Sequence, residues 1–149
     1  MQLFVNSIDR EHGHEWMPGW LEEHGLPAGD FERAVELRET LRALLRVNNV
    51  GGEAPEAVAR LNEAARDVRV ELRGDDVVLA GGDPLADVTA VVLSAMLDGS
   101  WKRLKVCRNC QWSFYDTSKN RSGSWCSMQL CGNRLKTRAY RTRRRSASA

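Results

Sequence analysis

Four cysteines, Cys107, Cys110, Cys126 and Cys131, stand in the spacing C-x2-C-x15-C-x4-C, and the chain has no others. Two disulfides or one metal site are the chemistries open to such a set. Met1 to Gly13 carries no basic start followed by an apolar run, so the expected setting is cytoplasmic, where thiols stay reduced. Under those conditions the spacing fits paired zinc ligands. A C-x2-C turn aims two thiolates at one ion from a tight knuckle, and the second pair closes a tetrahedral four-sulfur shell. A closed shell has no open coordination position, so the expected cofactor is one structural Zn²⁺ that activates no water.

The elements that must position these thiols can be read around them. Gln111-Trp-Ser-Phe-Tyr-Asp116 is strand-like, a polar turn runs from Thr117 to Gly123, and Ser127 is an N-cap candidate for a helix from Met128 through Arg141 or further. A knuckle, a hairpin and a helix carrying the last ligands make a treble-clef-like arrangement. On that helix Arg134, Arg138, Arg141 and Arg145 share one face, and Lys136, Arg143 and Arg144 add further charge. Lys105, Arg108, Arg134 and Lys136 are also placed to offset the negative charge of a four-thiolate zinc. Trp112, Phe114, Tyr115 and Trp125 are read first as the core of so small a module, and second as platforms for stacking bases.

Charge divides the chain sharply. The net charge is +2 over 149 residues, yet residues 1–99 hold 9 Lys and Arg against 19 Asp and Glu, for −10, while residues 100–149 hold 13 against 1, for +12. A segment so basic attracts polyanions, and nucleic acid is the abundant one. The alternative is that the two halves neutralise each other, with the acidic one folding back to mask the basic one. The sign reverses at Asp98-Gly99-Ser100, which sets the expected domains at 1–99 and 100–149.

The acidic half reads as mainly helical. Leu3-Phe4-Val5 suggests a short strand or extended piece; Glu15 to His24 suggests a short helix ending at Gly25. Asp30 opens a long amphipathic helix through Ala34, Leu37, Leu41, Leu44 and Leu45, which Asn48-Asn49-Val50-Gly51-Gly52 terminates. Pro55 begins a third helix to about Asp67, and Val68 to Ala80 alternates around Gly74-Asp75-Asp76 as a hairpin. Asp83-Pro84 starts a helix that is apolar nearly all round and so belongs in the middle of the domain. The fold class is therefore α+β. Phe4, Asn6, Trp16 and Trp20 are candidates to line a small-molecule pocket, against the plainer reading that the tryptophans staple the N-terminal segment to the bundle.

The residues Cys107-Arg-Asn-Cys110, Phe114-Tyr-Asp116, Ser118-Lys-Asn120, Trp125-Cys-Ser-Met128 and Cys131-Gly-Asn-Arg134, with Lys136 and Tyr140, resemble the CGNR zinc finger in register with all four ligands. The first half is similar to the ABATE domain through Leu3-Phe-Val-Asn-Ser7, Leu37-Arg-Glu-Thr-Leu41 and Leu61-Asn62, with Ser7 where threonine is expected. That resemblance implies a stress-linked bacterial transcriptional regulator, a function itself inferred for the family. The expected activity is zinc-dependent DNA binding by residues 100–149, with residues 1–99 sensing an effector or mediating association into an oligomer. RNA or single-strand binding, and a protein-interaction adaptor with a zinc scaffold, are the other classes. No enzyme is expected: the three histidines, His12, His14 and His24, lie near the start, and no phosphate-binding glycine loop or nucleophile elbow occurs. No membrane span is expected, since the apolar run from Val88 to Leu97 is too short to cross a bilayer.

Overall fold

The computed structural model describes residues 1–134 and Thr137. The chain opens with a helical turn, α1 (Gln2–Val5), then a two-stranded ribbon, β1 (Ile8–Asp9) with β2 (His14–Glu15), and α2 (Met17–Glu23). The long α3 (Phe31–Val50) and the shorter α4 (Pro55–Ala64) follow, then the hairpin β3 (Val68–Arg73) and β4 (Asp76–Gly81), and α5 (Pro84–Leu97). A second hairpin, β5 (Leu104–Val106) with β6 (Ser113–Tyr115), leads to a wide helical turn at Met128–Gly132 that passes into α-helix at Asn133 and Arg134; Thr137 is helical too, and the rest of the helix expected through Arg141 lies outside the described residues. Helices with small antiparallel ribbons and a C-terminal cysteine cluster make this an α+β protein. No helix among the described residues is long and apolar enough to cross a membrane.

Local chemistry explains most boundaries. Asp83 caps α5 by accepting from the Ala86 N–H at 2.8 Å, and Pro84 occupies the first turn, where its missing N–H costs nothing. Gly51 ends α3 with φ of 76°, a conformation that L side chains rarely adopt. Gly81 has a steric role instead, because a Cβ there would lie 2.3 Å from the Asp87 backbone nitrogen, where β4 meets α5.

Two expectations, on the N-terminal segment and on α5, need correction. Leu3-Phe4-Val5 is helical rather than extended, with Phe4 and Val5 turned into the core and Leu3 left outside. The stretch Asn48-Asn49-Val50-Gly51-Gly52 ends α3 as expected, with Val50 its last residue, Gly51 its cap and Asn48 and Asn49 inside its last turn. Apolar residues of α5 are not all central: Leu85, Val88 and Val92 are buried, whereas Val91 and Leu97 face outward. The β3–β4 hairpin forms where expected, yet it turns Ala80 inward and leaves Val70, Leu72 and Val77 exposed.

One core serves both halves of the sequence. Phe4, Met17, Leu41, Leu45, Leu85 and Val92 cluster with Trp101, Leu104 and Val106, so the first strand of the basic half packs against α3. A smaller cluster of Cys107, Phe114 and Cys131, with Cys110, Trp125 and Cys126 around it, lies beyond that strand.

Candidate zinc centre and its seat on the helical half

The β5–β6 hairpin holds the first ligand pair. Cys107 follows β5 directly, and the knuckle closes through Gln111 N–H to Cys107 O at 3.1 Å and Cys107 N–H to Trp112 O at 2.9 Å. The turn forces Gln111 to a φ of 61°. The second pair is set by a cap: the Ser127 hydroxyl accepts from Leu130 N–H at 3.3 Å, and its carbonyl accepts from both Cys131 and Gly132 N–H at 3.0 Å. That turn brings Cys131 inward beside Cys126. A Cβ at Gly132 would sit 2.9 Å from the Met128 sulfur and 3.3 Å from Trp125, so the position before Asn133 has little room for a side chain.

The four Sγ atoms lie within 4.8 Å of one another. Cys110 and Cys126 are 3.5 Å apart, and Cys131 is 3.6 Å from each of them. Four sulfurs bound at about 2.3 Å around a tetrahedral ion are separated by about 3.8 Å, close to the three distances among Cys110, Cys126 and Cys131, so the set fits zinc with small adjustments. Burial pushes the Cys110 thiol up to about 11 and Cys126 higher still, while at Cys107 burial is outweighed by the N–H groups of Cys126, Cys110 and Asn109, which hold its thiol below the ordinary value. A zinc ion replaces the protons of such thiols and supplies the positive charge that four neighbouring thiolates need. Cys107, Cys110, Cys126 and Cys131 hold one structural zinc with no position left for water or substrate.

The cations expected around the site do other work. Lys105 is buried and gives its ammonium to Asp116 Oδ2 at 2.7 Å, Arg121 O at 2.5 Å and Gly123 O at 3.0 Å. Arg108 donates to Asn49 O at 2.6 Å, and Arg134 pairs with Glu11 at 2.5 Å. The contact to sulfur comes instead from a residue without charge, Asn109, whose Nδ2 lies 3.5 Å from Cys131 Sγ. Asp116 also accepts from Ser118 N–H at 3.0 Å and Gly123 N–H at 2.9 Å, and so folds the loop 117–123 between the ligand pairs. Burial works against the Asp116 charge, but Lys105 and these donors hold its carboxyl well below the usual range. A Cβ at Gly123 would lie 2.6 Å from Asp116 Oδ1, which explains the glycine.

The knuckle is seated on the helical half by amides and guanidinia that sequence reading missed. Asn49 Nδ2 donates to Val106 O at 2.6 Å and Ser124 O at 3.1 Å; Asn48 Nδ2 donates to Trp101 O at 2.9 Å and Leu104 O at 3.0 Å. Arg42 donates to Gln111 O at 2.6 Å and to Val5 O. Asn6 makes a two-way pairing with Ser113, accepting its N–H at 2.7 Å and donating to its carbonyl at 2.9 Å.

Phe4, Asn6, Trp16 and Trp20 do come together, on one open groove of about 1070 Å³ whose far side includes Val88, Val91 and Trp112. Trp20 packs edge-on against Phe4 and stacks on His24. Asn6, however, is already spent on Ser113. Of the aromatics near the zinc, Phe114 and Trp125 pack on the cysteines, whereas Trp112 and Tyr115 are exposed. Among the expected nucleic-acid contacts Arg134 is exposed; Lys136, Arg138, Arg141, Arg143, Arg144 and Arg145 lie outside the described residues.

No curated protein matches the chain. Two family models do, in the order the sequence suggested: residues 103–144 match the CGNR zinc finger, and residues 3–99 match the family described as "Putative stress-induced transcription regulator", ABATE. With the larger match spanning most of the chain and the cysteine cluster completing the smaller one, the protein belongs to the ABATE family and carries a C-terminal CGNR zinc finger.

Proposed function

We propose that the protein is a cytoplasmic, zinc-dependent DNA-binding transcriptional regulator in which residues 100–149 hold the duplex. The observation that carries this reading is the charge of those residues, +12 on a segment folded around zinc. The described structure supports it further, since Lys102, Arg108, Lys119, Arg121 and Arg134 are all exposed. Phosphates are the partner such a surface selects, and base-reading groups then set register. The module has no catalytic role in this reading, and regulation is of the occupancy of DNA.

The groove beside Trp16 and Trp20 is the proposed entry for an effector. Because Trp112 of the zinc hairpin forms part of its wall, a small molecule bound there touches both halves at once. Stress is the signal that the family's description suggests.

The test is selection of bound sequences from a random duplex pool, followed by affinity measurements over a salt series. If Arg138, Arg141 and Arg145 each neutralise one phosphate, replacing all three by Ala lowers the slope of log K against log salt by about 2.7, from about 0.9 per contact. A second reading, single-strand or RNA binding, is favoured by the exposed rings of Trp112 and Tyr115. Tighter binding to a single strand than to the duplex at one stated salt concentration selects it.

A further inference from the structure

We infer that the outer edge of β3 is a dimerisation site, at which two copies of the chain join their hairpins into one four-stranded antiparallel sheet with Val70 on the two-fold axis. This inference stands apart from the DNA reading and does not depend on it.

The edge is open. Arg73 and Asp76 flank the two-residue turn Gly74-Asp75, which makes them the last mutually hydrogen-bonded pair of the hairpin. Bonded pairs alternate, so Val68, Val70 and Leu72 turn their N–H and C=O groups away from β4. The same alternation turns Gly81 outward on the other strand, where its N–H donates to Asp87 Oδ1 at 2.8 Å. Val68 N–H is taken by Ala65 O, which ends the turn before β3, but no such partner reaches Val70 or Leu72 among the described residues. α5 packs chiefly on β4, leaving β3 as the outer strand. Neither a proline nor a bulge blunts β3, two of the devices that protect free edges.

The sequence of the edge is complementary to itself. Val68-Arg69-Val70-Glu71-Leu72-Arg73, run antiparallel to its copy about Val70, places Arg69 opposite Glu71 of the other copy, with opposite charge. Val68 faces Leu72, and Val70 faces Val70. Shifting the register by two residues sets Arg69 opposite Arg69, or Glu71 opposite Glu71, and like charges directly opposite are unfavourable. Only the register about Val70 pairs Val70 with Val70 in both directions and brings Leu72 N–H to Val68 O of the other copy together with matched charges, leaving Val68 N–H on Ala65 O. It also gives the exposed side chains apolar neighbours: Val70 is 66% and Leu72 78% accessible in the single chain. A two-fold axis through one residue is the form an isologous contact takes.

The test is sedimentation of the zinc-loaded full chain over a concentration series, with circular dichroism to verify folding of each variant. A monomer–dimer equilibrium is expected. Val70→Lys puts two ammonium groups across the axis and weakens the dimer by about tenfold or more. Val77→Lys, on the same face but the inner strand, leaves the dimer intact. Arg69→Glu weakens it, and the Arg69→Glu, Glu71→Arg double variant restores it. A wild-type chain that stays monomeric at every concentration overturns the proposal. So does a dimer that resists Val70→Lys, or one that Val77→Lys disrupts equally, since the latter is packing through the sheet face.

Discussion

Replacing Asn6 probes how the two halves are held together. Its amide accepts from Ser113 N–H at 2.7 Å and donates to Ser113 O at 2.9 Å, and both residues are buried. In Asn6→Ala the Ser113 carbonyl keeps a partner, since Gln2 Nε2 also donates to it at 3.1 Å, but the Ser113 N–H is left with none. An orphaned buried donor costs about 1–3 kcal/mol, and losing the second bond adds about 1 kcal/mol. The expected loss is therefore about 2–4 kcal/mol, a fall in Tm of about 5–15 °C for a chain of this size. Gln2→Ala removes only the redundant donor and costs under about 1 kcal/mol. Asn6→Asp sharpens the assay. It keeps the acceptor for Ser113 N–H but turns a carboxylate oxygen toward the Ser113 carbonyl, so the charged form is disfavoured in the folded state and the folded pKa of the new carboxyl rises above its unfolded value. The penalty of Asn6→Asp is then largest at neutral pH and shrinks as pH falls through that raised pKa. Thermal unfolding of zinc-loaded protein between pH 7 and pH 5 reads both effects. An Asn6→Ala loss under about 0.5 kcal/mol, or an Asn6→Asp penalty independent of pH, refutes the assignment of Asn6 as the clamp on β6.

Elemental analysis is expected to find one zinc per chain, and Ser at any of Cys107, Cys110, Cys126 or Cys131 to unfold the segment from the knuckle onward, since closed zinc sites contribute on the order of 10 kcal/mol to folding. Asp116→Asn leaves the Lys105 ammonium buried without a counter-charge and costs about 3–5 kcal/mol at neutral pH. Because the folded pKa of Asp116 lies below its unfolded value, its contribution is full above about pH 4 and is lost as pH falls through the folded pKa, so the gap between wild type and Asp116→Asn closes in acid. A fragment ending at Gly99 lacks Trp101, Leu104 and Val106 from the shared core, and is expected to melt well below the full chain; equal Tm values would show that the first half carries its core alone.

The zinc ligands were legible because their chemistry is local: two thiols in a knuckle and two around a capped turn are fixed by spacing alone. Two caps were legible for the same reason, the hydroxyl of Ser127 and the carboxylate of Asp83 standing where their neighbours predicted, whereas Asp30 sits at the start of α3 without a side-chain bond to cap it. The hairpin's position was readable and its orientation was not. Alternation in β3 says that valines and charges lie on opposite faces, yet which face meets α5 depends on how the connection from Ala65–Asp67 approaches. Asn48 and Asn49 were legible as part of the stretch that ends α3, but not as clamps, because their partners, Trp101 to Val106, are more than fifty residues away. Asn6 was read for its polarity beside aromatics. It is held by a strand edge that no local pattern announces.

The two halves carry opposite charge, yet among the described residues opposite charge contributes little to joining them. Among the described residues one ion pair, Arg134 with Glu11, crosses from the first 99 residues to the rest. Every other polar link runs from a side chain to a backbone group: Asn6 and Gln2 to Ser113, Arg42 to Gln111, Asn48 to Trp101 and Leu104, Asn49 to Val106 and Ser124, and Arg108 to Asn49. Bonds to backbone fix position rather than compensate charge, and buried ones are little screened by salt. Lys102, Lys119 and Arg121 are exposed and make no ion pair with the first half among the described residues, while α3 supplies a rigid seat for the knuckle. Under the proposed DNA-binding reading such a seat matters, because contacts set at fixed spacing bind without first ordering the module. The seat also adjoins the groove at Trp16, since Asn6 lines that groove and bonds Ser113 on the hairpin whose turn carries Cys107 and Cys110.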